Sequence, residues 1–358
     1  MKKELKHLLS VFLVYVLVKI IISYFVPISR AFSDDYRYLK MAESFFYDFS
    51  FNVHGLPNII YNPLYPIIIS IANLFRDNYL VIKVINSVLS SLIIFPAYFL
   101  SKEFLNEKKS LFITIFIALL PSNFGLASYI MSENLFYPLS LSSIYFIYKS
   151  FKNNRLKNYI LAGVFISLSF LTRVHGLILI ALVIILILLN IINKKLNKKS
   201  LFILLISIIL ILPWVLYQIQ AYNQAYNPYI REVSNFFLGN RFYPFIIWFI
   251  SYFGFITLAS GFIFMPLSLL SFKIKNSKLN LFRNISLITL ILTLLVAANH
   301  HLRNKNYIYN LNEFIFIAGR TVGRYVDFIL PLIVILGFIT LNYYVKNKIN
   351  NLILRNIS

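Results

Sequence analysis

Cysteine is absent from the 358-residue chain. That excludes disulfides, thiolate catalysis and Cys-based metal sites. Charge is scarce as well, at 13% of residues, where soluble domains carry about 25%. Acid is scarcer still, with 12 Asp and Glu against 34 Lys and Arg. With 59% of residues hydrophobic, an ordinary water-soluble globule and a disordered chain are both excluded. The sequence holds no internal repeat and no low-complexity tract.

What it does hold is apolar chain in long runs, near 8–28, 80–101, 110–128, 134–150, 158–172, 174–193, 200–220, 245–271, 284–300 and 325–345. A bilayer-spanning helix takes about 20 mostly apolar residues, so ten transmembrane helices are expected. A further run, 63–75, has only 13 residues and reads as a re-entrant or interfacial piece. The net charge of +22 would suggest nucleic acid in a soluble protein. In a membrane protein it is first a topology signal, because Lys and Arg hold short loops in the cytoplasm. No nucleic-acid partner is therefore expected.

The basic residues test the count. With the N-terminus in the cytoplasm, successive inner segments carry Lys2, Lys3 and Lys6; Lys102, Lys108 and Lys109; Lys149, Lys152, Arg155 and Lys157; Lys194, Lys195, Lys198 and Lys199; Lys273, Lys275, Lys278 and Arg283; and Lys346, Lys348 and Arg355. These are 21 of the 34 basic residues. Counting 63–75 as a crossing breaks the alternation at every later loop. The apolar stretch after the basic residues 1–7 is longer than the 7–15 residues or so of a signal peptide, and reads as an uncleaved first span. The expectation is an all-α polytopic protein of the plasma membrane. It forms one transmembrane domain over 1–358 with no separate soluble domain, and both termini are cytoplasmic.

The same topology sorts the acids. Glu4, Glu103 and Glu107 fall inside, whereas Asp34, Asp35, Glu43, Asp48, Asp77, Glu133, Glu232, Glu313 and Asp327 fall on or near the outer face. The long loops, about 29–79, 221–244 and 301–324, are outer loops too. Any chemistry is expected on the extracytoplasmic side.

Five segments could carry it. The first outer loop opens Ser33-Asp34-Asp35-Tyr36-Arg37-Tyr38, and 36–49 has the pattern of an amphipathic interfacial helix. The two acids suit either a helix cap or a base raised by partial desolvation. Tyr61-Asn62-Pro63-Leu64-Tyr65-Pro66 opens the short apolar piece, and its prolines suit a helix start. Ser132-Glu133 stands at the outer end of the third span, either a surface cap or a carboxylate facing a polar cavity. Arg173, in Leu171-Thr172-Arg173-Val174-His175-Gly176, is the only Lys or Arg between Lys157 and Lys194, and so needs an anionic partner. His175 fits a hydrogen-bonded turn better than a base. Gly319-Arg320-Thr321-Val322-Gly323-Arg324-Tyr325 leads into the last helix. Arginines there oppose both the helix dipole and the positive-inside bias, which favours an anion site. His300-His301 makes a poor metal pair, since neighbours point apart on a helix and zinc takes three or four ligands. Lys19, in mid-span, suits a functional role or snorkelling to a polar neighbour.

Together and in this order, the segments resemble the integral-membrane glycosyltransferases of fold class C. The resemblance is to the polyprenyl-phosphate-sugar group, which includes protein O-mannosyltransferases and lipid A aminoarabinose transferases. It rests on Asp34-Asp35 with Tyr38 and Ala42, Pro63-Leu64-Tyr65-Pro66, Ser132-Glu133, Leu171-Thr172-Arg173 with Gly176, and Gly323-Arg324-Tyr325 with Pro331. The chain departs from the group in having Asp-Asp where Asp-Glu is common. Many members also carry further spans or a C-terminal extracytoplasmic domain, whereas this sequence is expected to end after its tenth span.

The resemblance implies inverting transfer of a sugar from a polyprenyl-phosphate donor to an acceptor hydroxyl on a protein, glycan or lipid. Asp34 would be the general base, with Asp35 and Glu133 beside it. Arg173, Arg320, Arg324 and Tyr325 would bind the lipid phosphate, with Tyr38 and His175 as acceptor-side or supporting residues. No cofactor is required, because the leaving group is already an anionic phosphate; a divalent metal is compatible with the motifs but not indicated by them. Membrane lipids are the other expected partners. The competing readings are a transporter or flippase of lipid-linked sugars, which tends to place ionisable groups near mid-membrane, and a lipid-linked-sugar polymerase.

Overall fold

In a computed structural model of the chain, residues 2–26, 33–194, 197–222, 242–301 and 323–357 are described. In chain order the helices are α1 (Lys2–Phe25), α2 (Ser33–Asp48), α3 (Leu64–Ile69), α4 (Asn78–Ser91), α5 (Ile94–Lys102), α6 (Glu107–Ala118), α7 (Pro121–Phe124) and α8 (Glu133–Asn153). They continue with α9 (Leu156–Thr172), α10 (Leu177–Ile192), α11 (Leu201–Ala221), α12 (Phe242–Ala259), α13 (Phe264–Leu270), α14 (Ser277–His301) and α15 (Leu330–Ile357). Among the described residues the only strands are β1 (Asn52–Val53) and β2 (Leu56–Pro57), an antiparallel pair. Their two-residue turn, His54-Gly55, has positive φ at both positions (55° and 76°), as a tight hairpin of this hand requires.

The chain divides into two compact units, Met1–Pro96 with Ala118–Gly239, and Ala97–Ile117 with Asn240–Ser358. In the first unit α8, α9 and α11 pack in succession, and α4 lies against α1 and α8. Close packing of α9 on α11 depends on Gly163, where a Cβ would lie 2.9 Å from the Ile203 carbonyl oxygen. Small residues let membrane helices approach in this way. Asp77 caps α4, accepting from the Leu80 amide at 3.1 Å. The buried face of α2, including Tyr38 and Ala42, joins Tyr65, Ile69 and Ala72 in one apolar cluster. The leucines and isoleucines of α1, α10 and α11 are extensively exposed, as a lipid-facing surface demands.

In the second unit α13 packs on α15 through Phe264 and Phe338, whose ring centroids are 4.7 Å apart. Arg283, expected as an inner-loop charge, is instead only 7% exposed. It donates to the Ile274 carbonyl at 3.0 Å and also to that of Ser271. Its guanidinium closes off carbonyls at the end of the short helix Ser271–Lys273.

Among the described residues seven helices are long and apolar enough to cross a membrane, and a bent pair, Glu107–Ala118 with Pro121–Ser128, brings the number to eight. The ten expected crossings are therefore not confirmed among the described residues. Helix α8 has the length but carries Asn134, Ser140, Ser142, Ser143, Lys149, Ser150 and Lys152, which lower its hydropathy. Helix α9 has 17 residues. The expected run 245–271 is interrupted after α12, where Gly261 and Phe262 take positive φ (77° and 59°) and α13 starts anew. The segment expected not to span forms only a short apolar helix, Leu64–Leu74.

Candidate active site

Asp34 and Asp35 lie in the first turn of α2, where carboxylates complement the helix dipole. The Tyr61 hydroxyl donates to Asp34 Oδ1 at 2.5 Å, and Tyr61 in turn accepts from Arg37 Nη1 at 3.2 Å. Burial, and after it the negative charge of Asp34, pushes the Tyr61 phenol above its ordinary pKa. Tyr61 therefore stays protonated and remains a donor throughout the physiological range. Asp35 is only 4% exposed.

One turn further along α2, the Tyr38 hydroxyl meets Ser132 Oγ at 2.8 Å. The Tyr38 ring packs edge-on against Tyr61 and Tyr65, at 5.0 and 5.1 Å between centroids. Ser132 also accepts from Arg173 Nη1 at 3.2 Å, and the same Nη1 lies 2.5 Å from Glu133 Oε1. Glu133 is 1% exposed. Ser132 stands at the start of α8 without making a side-chain cap bond, so the surface-cap alternative for Ser132-Glu133 is set aside. Its hydroxyl is used across helices instead. The anionic partner that Arg173 needed is Glu133.

The Arg173 junction is shaped by Gly176. A Cβ there would fall 2.5 Å from Phe170 Cα, so only glycine lets the turn Val174–Gly176 fold back on the end of α9. Arg173 itself is extended (φ −151°, ψ 142°), which directs the chain away from α9 just where the guanidinium is needed. His175 sits in the same turn, its ring against Phe136 at 6.5 Å between centroids. Asn62 donates to the Phe170 carbonyl, which ties the proline segment to this junction.

The structure thus brings together Asp34, Asp35, Tyr38, Glu133 and Arg173 within the first unit. Arg324 and Tyr325 belong to the second unit. There Tyr325 pairs its hydroxyl with His300 Nε2 at 2.8 Å, and the Arg324 guanidinium lies 5.5 Å from the Tyr325 ring centroid. Arg320 lies outside the described residues, as do Glu232 and Glu313. Two participants escaped the sequence reading. Tyr61 looked like part of a helix start and nothing more, and the hydroxyl of Ser132 looked like a cap. The signal for both was the presence of polar tips in segments that already carried the acidic and basic motifs.

Residues 62–217 match a protein family described as dolichyl-phosphate-mannose-protein mannosyltransferase. No curated protein sequence is matched. Among solved structures, ArnT from Cupriavidus metallidurans bound to undecaprenyl phosphate is similar with a TM-score of 0.66 at 14% identity, over 93% of this chain and 60% of that one. The fold is that of the class C membrane glycosyltransferases. ArnT in the apo state gives 0.61 at 13% identity, over 93% of this chain and 59% of that one. The archaeal oligosaccharyltransferase AglB from Archaeoglobus fulgidus, in complex with an inhibitory peptide and a dolichol-phosphate, gives 0.55 at 13% identity. That match covers 97% of this chain and 52% of AglB. The chain spans 52–60% of the length of these proteins. The resemblance to polyprenyl-phosphate-dependent glycosyltransferases, read from motifs, is borne out by both the family match and the fold. The matched segment holds Tyr65, Ser132, Glu133 and Arg173, with the acidic pair just ahead of it.

Proposed function

We propose that the protein transfers a sugar from a polyprenyl-phosphate-linked donor to an acceptor hydroxyl at the extracytoplasmic face of the membrane. The single observation that carries this reading is the shared environment of the acidic motif and the arginine junction. Tyr38 links the Asp34–Asp35 helix turn to Ser132, and Ser132 to Arg173 and Glu133. Asp34, held by Tyr61, takes the proton of the acceptor hydroxyl. The acceptor oxygen then forms a bond to the anomeric carbon from the face opposite the phosphate. The bond between that carbon and the phosphate oxygen breaks, its electron pair leaves with the polyprenyl phosphate, and the configuration inverts. On guanidinium chemistry, stabilisation of the phosphate falls to Arg173, Arg320 and Arg324, with Tyr325 beside Arg324. Glu133 orients Arg173. Because the leaving group is an anionic phosphate, no step in this reading passes through a metal. The placement of the acids and outer arginines opposite the lysine-rich loops supports the extracytoplasmic side.

Asp34→Asn tests the base. Asparagine keeps the size of the side chain and still accepts from Tyr61, but it cannot take the acceptor's proton. Loss of a general base costs about 10²–10⁴ in rate. Sugar transfer, read by mass spectrometry of envelope glycans and lipids in cells carrying either form, should fall by that factor while binding of undecaprenyl phosphate persists. Transfer by Asp34→Asn at near the wild-type rate overturns Asp34 as the base.

A further inference from the structure

Helix α1 buries a polar stripe inside an otherwise apolar span. Tyr15, Lys19 and Ser23 recur every four residues, are 7%, 1% and 2% exposed, and so share one face. All three reach the same stretch of chain, 118–128. The Tyr15 hydroxyl donates to the Ala118 carbonyl. Lys19 Nζ donates to the Asn123 carbonyl at 2.7 Å, and Ser23 Oγ meets Ser128 Oγ at 3.2 Å. Lys19 also donates to Ser90 Oγ at 2.7 Å and lies 4.6 Å from the centroid of the Tyr15 ring. The ammonium is thereby held within the protein and does not snorkel.

The stretch 118–128 is where helical continuity fails. Ala118 ends α6, Pro121 contributes no amide hydrogen, and the chain proceeds through α7 and the short helix Gly125–Ser128. Inside a bilayer each freed carbonyl needs a donor from the protein itself. The stripe supplies donors to two of them. Four residues beyond Ser128 stands Ser132, followed by Glu133. Lys83 secures the other partner of this arrangement, donating to the Ser23 and Val26 carbonyls at 2.9 and 2.7 Å and so anchoring the end of α1 to α4.

We infer that Tyr15, Lys19 and Ser23 form a positioning ladder that holds the broken segment 118–128 and, through it, sets Ser132 and Glu133 against Tyr38 and Arg173. The catalytic consequence rests on the transferase reading above; the mechanical part does not. Lys19 is the central rung. It touches no reacting group, and it acts by fixing backbone that a continuous helix would have fixed by itself.

The absence of native cysteine permits a clean test in the full chain reconstituted in liposomes. Ala127→Cys places a reporter in the broken segment, at a position 1% exposed. Ala162→Cys places a control in α9, at a position 0% exposed. Lys19→Met should accelerate alkylation of the Ala127→Cys thiol by at least about tenfold, because local opening exposes only the segment it releases. The Ala162→Cys thiol should keep its slow rate. Unchanged labelling at both positions overturns the ladder, and so does equal acceleration at both, which would make Lys19 a general packing residue. In the transfer assay, Lys19→Met should lower kcat with the donor KM held. Accelerated labelling at Ala127→Cys with unchanged kcat overturns the link to Ser132 and Glu133. If the wild-type protein transfers no sugar, the labelling arm still decides whether the ladder exists.

Discussion

Glu133→Gln removes one charge of a buried ion pair while keeping its shape. Glu133 is 1% exposed and Arg173 12%, with 2.5 Å between Oε1 and Nη1. Breaking such a pair from one side costs about 3–5 kcal/mol, because the remaining charge stays desolvated without compensation. After the substitution Arg173 still donates to Ser132 at 3.2 Å and has some access to solvent. The low end, about 3 kcal/mol, therefore applies. Arg173→Met strands Glu133, the more deeply buried partner, and should cost more, about 5 kcal/mol. The double variant leaves neither charge stranded. Its loss should be smaller than the summed single losses by about 2 kcal/mol or more, within the range seen for directly coupled residues. Reversible unfolding in SDS-containing mixed micelles measures all three. Losses that add to within about 0.5 kcal/mol, as independent sites do, would refute the pairing as a source of structural coupling.

Alkaline pH should weaken the protein through Tyr38, whose phenol is raised above its ordinary pKa chiefly by burial. Stability is fully present below about pH 10, where folded and unfolded forms are both protonated. Above it the unfolded form ionises first and stability falls, by about 1.4 kcal/mol per pH unit for one such group. Tyr38→Phe should flatten that slope by one group's worth in unfolding measured from pH 9 to 11, and an unchanged slope would show that Tyr38 ionises freely in the fold. Gly176→Ala sets a Cβ 2.5 Å from Phe170 Cα. Overpacking of this kind costs about 1–3 kcal/mol, so melting should drop and transfer should fall with it, whereas full activity would mean that the turn carrying Arg173 is compliant. A reporter fused after Asn197 should be cytoplasmic and one placed within 222–240 extracytoplasmic; finding both on one side would overturn the ten-span reading and the site assignments that rest on it.

Much of the membrane architecture was legible because the bilayer imposes lengths on apolar runs. The short apolar piece at 63–75, expected not to span from its length and from the alternation of basic loops, forms an apolar helix of only Leu64–Leu74. The count of ten was not confirmed among the described residues, for reasons that hydropathy over a long window blurs. The serines of α8 turn inward to neighbouring helices, with Ser143 Oγ 3.1 Å from Ser169 Oγ. The run 245–271 hides a break at Gly261. The site was half legible. Its ionisable members stood out as charges in apolar surroundings, but Tyr61 and Ser132 did not, since a hydroxyl costs little in either environment until its partner is known.

Composition and the lengths of the apolar runs determined by themselves that this chain crosses a membrane repeatedly, and charge placement predicts that its acids gather opposite its lysine-rich loops. Both follow from transfer free energies, which are properties of single residues and short windows. Tertiary structure alone decided that Arg173 pairs with Glu133, 40 positions earlier in the chain, that Tyr38 reaches Ser132, and that Lys19 spends its donors on Ser90 and Asn123. Those contacts depend on how each helix is rotated about its axis and on where a neighbour's backbone is broken. A hydropathy pattern specifies which face of a helix avoids water, and in lipid that constraint vanishes. The choice of partner is then left to packing and to the requirement that every buried polar atom find one.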